Sequence, residues 1–409
     1  MRIAVITQYF TPEPSRIPPG VAHGLAARGH SVRVVTGFPN YPEGRLHDGF
    51  RQRLAVYERH GQITVRRVPI VISHSNNPLG RAANYVSFAL SSLLARRFVR
   101  DADVVYVYAT QMTAAFAPSV WRRLGGPPVV LHVQDLWPES ITESSLVRCG
   151  PARRVVAGAL SRWTSGIYRR ASGLIAIAPT MSRLLAERGA DPDKIEVIFN
   201  WAPESADDPR PAPAESKAGL TVVYAGNVGD MQNLEVAVEA ARLIEADTPG
   251  FRLIIVGTGV AEQRLKEAAS GLTNVEFRGR VPLAEMPPVY AESDFQLITL
   301  RDLPIFRGTI PSKFQASLAS GVPVITSVAG DVASIVREAS VGLIADPENP
   351  ESLASAFRDA YSMPRRAVAE MGRRARDLYV SSMSADQGIE RIEQLLVRVV
   401  QRTRMGGRS

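Results

Sequence analysis

Twice along this 409-residue chain, short β-branched apolar runs alternate with helical stretches, and that repetition constrains the fold more than any other feature. In the first half, Arg2–Thr7, Ser31–Thr36, Ile63–Pro69, Val104–Tyr108, Val129–His132, Leu174–Ile177 and Glu196–Phe199 read as strands. Between them lie helices at Pro19–Arg28, at about Ala82–Arg97, and from Pro179 to Gly189 with Thr180 as N-cap. In the second half the strands are Leu220–Ala225, Phe251–Val256, Val275–Phe277, Phe295–Leu300, Val322–Thr326 and Gly342–Ala345, with a helix at Leu234–Glu245 and a helical charged tail at Ala385–Arg398. Strands that are apolar throughout belong to parallel sheets covered on both faces. The expected class is therefore α/β, with two doubly wound Rossmann-like domains facing each other across a cleft. The chain is too long for one ordinary core, and residues 201–219 are proline-rich and poor in apolar side chains. This gives a first domain at 1–200, a linker at 201–219, a second domain at 220–384 and a terminal helix at 385–409.

The net charge of +8 is unevenly spread. Residues 1–200 hold 25 Lys/Arg against 13 Asp/Glu, a balance of +12; residues 201–409 hold 23 against 27, a balance of −4. The first half then faces phosphates, a membrane surface or nucleic acid, or is only a solubilising surface. No helix-turn-helix, zinc or aromatic-basic strand pattern supports nucleic acid. The single cysteine, Cys149, excludes an intrachain disulfide and a cysteine-rich metal site, which fits the cytoplasm. Met1–Thr7 reads as a first buried strand instead of a signal peptide, and no apolar run reaches the roughly 18 residues of a membrane span.

The richest stretch is Gly308-Thr309-Ile310-Pro311-Ser312-Lys313, a loop opening a short helix that ends in Gly321-Val322-Pro323. Amides at a helix start have no partner within the helix and can receive phosphate oxygens. Lys313 supplies a point charge there and Arg307 a planar fork, a pair suited to pyrophosphate; solvent-facing charge is the bland alternative. Arg301 and Asp302 form either part of this site or a local surface pair. Gly226-Asn227-Val228-Gly229 and Gly257-Thr258-Gly259 each follow a strand and either pass close beneath a ligand or simply turn.

In the basic half, His132-Val133-Gln134-Asp135-Leu136-Trp137-Pro138-Glu139 follows a strand. His132 can donate to a sugar hydroxyl or phosphate, and Asp135 can orient it or accept from a hydroxyl; a satisfied core histidine is the commoner fate. Glu139 and Glu143 lie one turn apart and can instead cap a helix. Gly20 with Tyr9, Phe10 and Pro18-Pro19 reads as a loop after the first strand, and Phe38-Pro39-Asn40-Tyr41-Pro42 as another. These aromatics either stack on a sugar, line a lipid path or stiffen the loops. The stretches 82–97 and 153–170 pair apolar faces with Arg96, Arg97, Arg100, Arg162, Arg169 and Arg170, a pattern of helices lying on an anionic bilayer and equally of core-facing helices.

Taken in order, Gln8-Tyr9-Phe10-x-Pro12-Glu13, Gly29-His30, Thr36-Gly37-Phe38-Pro39-Asn40-Tyr41-Pro42-x-Gly44, Gln134-Asp135-Leu136-Trp137-Pro138-Glu139-Ser140, Asn200-Trp201, Gly226-Asn227-x-Gly229 and Ile310-Pro311-Ser312-Lys313 form a set. Over nearly its whole length the chain resembles the retaining GT-B glycosyltransferases of family 4, nearest the bacterial colanic-acid and O-antigen amino-sugar branch. The resemblance implies transfer of a sugar from a nucleotide diphosphate, UDP being the expected carrier, to a hydroxyl with retention and without a metal or other cofactor. The donor would bind the second domain: Arg280 and Val281 at the base, and residues 307–313 with Gln315 nearby at the diphosphate and ribose. Gly226, Asn227 and Gly257 would line that site, His132 would sit near the transferred sugar, and the terminal helix would cross back to the first domain. The acceptor would be a lipid-linked saccharide at the inner face of the cell membrane or a soluble molecule. Where the wider family carries two acids eight positions apart, this chain has Gly308 and Ala316; Asn227 and Gln232 replace its arginine and lysine.

Overall fold

The computed structural model describes residues 1–73, 78–137, 151–202 and 219–406. Contacts divide the chain into two compact units, Met1–Ile198 with Gly388–Ser409, and Phe199–Gln387. The proposed linker falls largely, and Glu139 and Glu143 wholly, outside the described residues.

The first unit is built on an eight-stranded sheet: β1 (Arg2–Ile6), β2 (Ser31–Gly37), β3 (Val56–His60), β4 (Ile63–Val68), β5 (Val104–Ala109), β6 (Val129–Val133), β7 (Gly173–Ala176) and β8 (Ile195–Val197). Their order is β3-β4-β2-β1-β5-β6-β7-β8, parallel except for the edge hairpin of β3 on β4. The hairpin strand, Val56-Tyr57-Glu58-Arg59-His60, escaped the sequence reading because its residues are polar and only partly buried. The chain switches direction between β1 and β5, whose register sets Ile3 beside Val104 and Ile6 beside Val107. In such sheets the crevice beyond the strand ends at this point is where ligands bind. The helix Ala385–Gly406 packs against this unit through Ile389 at Gly24 and Leu395 and Val399 at Gly173. Its Glu393 meets His30 Nε2 at 2.6 Å.

Two helix starts differ from expectation. The helix holding Gly20 begins at Ile17, so Gly20 lies in its first turn, donating to the Arg16 carbonyl at 3.0 Å, and not in a loop. Pro18 and Pro19 favour this start because first-turn amides need no partner within the helix. Likewise Pro179, not Thr180, opens the helix Pro179–Glu187; Thr180 is inside it, accepting from Arg183 at 2.8 Å. The stretch read as one helix from 82 to 97 is a helix at Pro78–Ser92, a tight turn at Leu93–Ala95 and a short helix at Arg96–Val99.

The second unit carries six parallel strands: β9 (Leu220–Ala225), β10 (Phe251–Val256), β11 (Val275–Gly279), β12 (Phe295–Ile298), β13 (Val324–Thr326) and β14 (Gly342–Ile344). Their order, β11-β10-β9-β12-β13-β14, is the doubly wound nucleotide-binding arrangement with its switch between β9 and β12. The helices Leu234–Ile244 and Pro350–Ser362 cover one face, where Leu234, Val238, Phe251 and Phe357 are buried around β9 and β10.

Candidate active site

At the switch point of the second unit, four loops converge. Gly226 follows β9 and sits at φ 153°, and a Cβ there would lie 3.3 Å from Lys313 Nζ. Gly257, after β10, approaches so closely that a Cβ would come within 1.8 Å of the Gly226 carbonyl oxygen. Its amide donates to Gly279 at 2.6 Å, tying in the loop after β11. The glycines singled out in the sequence thus bring backbone against backbone, whatever else they meet. Arg280, next after Gly279, is exposed, and Val281 is half-buried.

Lys313 comes from the fourth loop. Pro311 is extended, and the helix Ser312–Ala319 starts directly after it, so the Ser312 and Lys313 amides lie in the first turn. From there Lys313 Nζ reaches under Gly226, donates to Tyr224 Oη at 2.6 Å and lies 3.9 Å from the centre of that ring. Tyr224 Oη in turn donates to the Asn227 carbonyl at 2.5 Å. Among the described residues no carboxylate pairs with Lys313, and burial pushes its pKa down to about 7. Tyr224, raised by burial, stays protonated. Asn227 Nδ2 donates to Gln232 Oε1 at 3.2 Å, which also accepts from the Gly229 amide at 3.1 Å. Two neutral amides therefore close on each other where the wider family carries charge.

Arg307 is exposed and held in a fork by Asp302 at 2.8 and 3.0 Å. The surface pair that the sequence suggested for Arg301 and Asp302 does not form; Arg301 instead donates to the Asp230 and Met231 carbonyls at 3.0 Å. Thr309 closes the turn on Ile305 at 2.9 Å, Ile310 is buried, and Gln315 and Ala316 are buried inside the helix.

In the first unit His132 lies within β6 and is fully buried. Its Nδ1 is 2.6 Å from Tyr106 Oη, and the rings of Tyr106 and Tyr108 pack edge-on against it. Burial lowers its pKa to about 3, so the ring is neutral. Its Nε2 has no partner among the described residues. Asp135 does not orient it: Asp135 lies beyond the end of β6, and the ring nitrogen that is hydrogen-bonded is held by Tyr106 on the neighbouring β5. Neighbouring atoms crowd Asp135 and push its carboxyl upward, although the side chain remains open to solvent.

The loops beyond β1 and β5 carry residues the sequence reading did not connect. Glu13 is buried and accepts from the amides of Phe10, Asn40 and Tyr41 at 3.1, 2.9 and 3.0 Å, which locks the two motif loops together. Gln8 donates to Asn84 at 2.5 Å and accepts from Gln111 across the switch point. Tyr9 stacks obliquely on Tyr41 at 5.4 Å, and Tyr85 on Trp137 at 6.4 Å. Gln8, Asn84 and Gln111 are buried, while Tyr9, Tyr41 and Tyr85 are partly open to solvent, and partly exposed aromatic faces suit a carbohydrate or an apolar chain.

A family model described as Glycosyl transferase 4-like domain matches residues 16–201, and one described as Glycosyl transferases group 1 matches residues 219–363. This chain belongs to the family 4 glycosyltransferases. The glycosyltransferase is 28% identical over 363 residues to the Escherichia coli K12 protein named colanic acid biosynthesis glycosyl transferase WcaI, covering 83% of this chain and 86% of that one. It is 25% identical over 374 residues to a GDP-mannose-dependent alpha-mannosyltransferase of Mycolicibacterium smegmatis, covering 86% of each. Among solved structures it superposes on Anabaena HepE in complex with UDP-glucose with a TM-score of 0.64 at 14% identity, over 97% of this chain and 100% of that one. The fold of this glycosyltransferase is GT-B, with two parallel-sheet domains. Among the described residues no helix is long and apolar enough to cross a membrane.

Proposed function

We propose that this glycosyltransferase moves a hexose or N-acetylated amino sugar from a UDP-linked donor to a hydroxyl of a lipid-linked saccharide, with retention and without a metal. The observation that carries the reading is Lys313 Nζ placed beneath Gly226 at the switch point of β9 and β12, beside the first amides of its helix. The diphosphate would rest on those amides and on Lys313, with Arg307 joining once it leaves Asp302. Arg280 and Val281 would border the base.

In the transfer, the bond from the anomeric carbon to the diphosphate oxygen breaks as the acceptor oxygen bonds to the same face. The acceptor's proton passes to the departing phosphate, so no carboxylate base is required. The chain's part is to stabilise the growing negative charge; one preorganised donor of this kind is worth about 3 kcal/mol in favourable sites. Relatives named for colanic acid biosynthesis support polysaccharide assembly as the setting. The relative named for GDP-mannose makes GDP the alternative carrier, while HepE with UDP-glucose favours UDP. The acceptor would meet the partly exposed aromatic side chains Tyr9, Tyr41 and Tyr85, at the inner face of the cell membrane.

The test is incubation with UDP-, GDP- and dTDP-sugars, with and without a detergent-solubilised lipid acceptor, reading nucleotide release by mass spectrometry. Release from one UDP-sugar, accelerated by lipid, supports the proposal. Binding of a donor without release would instead favour a sugar-nucleotide sensor, in line with Gly308 and Ala316 replacing two acids.

A further inference from the structure

The chain just beyond Tyr41 encloses space that the transfer described above does not use. Between residues 43–50 and Pro12, in the loop after β1, a cavity of about 350 Å³ opens to solvent. That volume lies toward the lower end of small-molecule sites, which span about 300–1,000 Å³. Its polar lining has both hydrogen-bonding signs: the carboxylates of Glu43 and Asp48 accept, and Arg45 donates. Pro12, Leu46 and Phe50 supply the apolar surface. Glu43 lies 3.4 Å from His47 Nε2, whereas the side chains of Arg45 and Asp48 are exposed and have no ion-pair partner among the described residues.

The walls are held in place by contacts outside the cavity. The amides of Gly44, His47 and Phe50 donate to the carbonyls of Asn40, Pro39 and His47 at 2.8, 3.0 and 3.2 Å. His47 Nε2 also lies 3.2 Å from the Tyr41 carbonyl oxygen, so the cavity borders the exposed aromatic that the acceptor would meet. Phe50 is backed by Arg67, whose guanidinium lies 5.0 Å from the ring centre and does not line the cavity. Arg67 is fully buried and is itself fixed by Glu58 at 2.6 and 3.0 Å and by the Gly37 and Thr11 carbonyls at 3.1 and 2.5 Å. A site whose walls are fixed beforehand loses less order on binding.

The lining also selects among ligands. Two carboxylates against one guanidinium and one imidazole leave no excess of positive charge for a phosphate, and three apolar side chains are too few for an acyl chain. A sugar ring fits both features. Its hydroxyls each donate and accept, and its C–H face lies well on an aromatic ring.

We propose that this cavity is a saccharide subsite, which seats the acceptor sugar next to the one that receives the transferred sugar. The acceptor then carries at least two sugars. Phe50 and Leu46 meet the ring's apolar face, Glu43 and Asp48 accept from its hydroxyls, and Arg45 donates to them. The assignment rests on the reading that the first unit takes the acceptor, yet its test uses no donor, so each can fail alone.

The full chain, without donor, is mixed with a panel of neutral mono-, di- and trisaccharide methyl glycosides, and binding is read by saturation-transfer NMR. Wild type is expected to pass saturation to at least one di- or trisaccharide. Arg45→Ala/Asp48→Ala, at two exposed positions, is expected to raise the dissociation constant of that sugar at least about tenfold. Phe50→Leu keeps an apolar neighbour for Arg67 while removing the ring face, and should weaken binding several-fold. No saturation transfer to any sugar of the panel, or a double variant that binds as wild type does, overturns the subsite. A folded Phe50→Leu protein with wild-type binding overturns the ring as its wall. Sugar binding that the double variant loses, in a protein that releases nucleotide from no donor, supports the subsite and overturns the transfer reading alone.

Discussion

Donor affinity should fall as pH rises past 7, because the cation that would receive the diphosphate is stored largely neutral above that value. Lys313 Nζ lies beneath Gly226 with Tyr224 Oη as its hydrogen-bond partner, and burial takes its pKa from 10.5 to about 7. The titratable group facing it, Tyr224, is itself raised by burial and stays neutral. If the donor binds only the ammonium form, affinity follows the protonated fraction. That fraction is about three quarters at pH 6.5 and about 3% at pH 8.5, so affinity should drop about 25-fold between them. Isothermal titration of the preferred donor, in two buffers of different ionisation enthalpy, reads both quantities. Close to one proton should be taken up per donor bound at pH 8.5, and the Lys313→Met protein should bind weakly with no such pH dependence. Equal affinity at the two pH values, without proton uptake, would refute the reasoning.

Other consequences follow from the same contacts. The unfolded chain binds the Lys313 proton from about pH 10.5 downward and the folded chain only from about 7, so this group's contribution to stability rises with pH across that window. Lys313→Met should therefore melt higher than wild type near pH 6, by an amount on the order of a few kcal/mol, while losing donor binding. Tyr224→Phe removes the oxygen that positions Nζ and should raise the donor KM about tenfold, read by steady-state nucleotide release. Gly257→Ala would force a Cβ against the Gly226 carbonyl and should lower the melting temperature of the second unit by about 10 °C; Gly271→Ala, where φ is also positive but nothing lies within 4 Å, should cost only about 1 kcal/mol. Glu13→Ala strips three amides, two of them buried, of their acceptor and should destabilise the first unit by about 3 kcal/mol in a denaturant melt.

The parallel strands were legible because a strand buried on both faces is written as an uninterrupted apolar run, and Leu220–Ala225 and Phe251–Val256 match residue for residue. The hairpin strand Val56–His60 was not, because one polar edge strand carries no such signature. The position of Lys313 on a helix start was readable from Pro311 and Ser312. Its burial under Gly226 was not, since that depends on a tyrosine almost ninety positions earlier that reads simply as part of an apolar strand. The same limit applied to His132: its neighbours along the chain suggested Asp135 as its partner, whereas the neighbouring strand β5 supplied Tyr106, two positions from the residue in register with it. Glu13 belonged to a quoted motif, yet only the fold shows why it accompanies Asn40 and Tyr41.

The most direct measurement is nucleotide release from the preferred sugar nucleotide, with acceptor present, by wild type and Lys313→Ala side by side. The account expects steady release by the wild type and a loss of at least about 100-fold in the variant, equivalent to one preorganised charge contact in the transition state. Turnover left intact in a folded Lys313→Ala protein would contradict the placement of the diphosphate at this switch point.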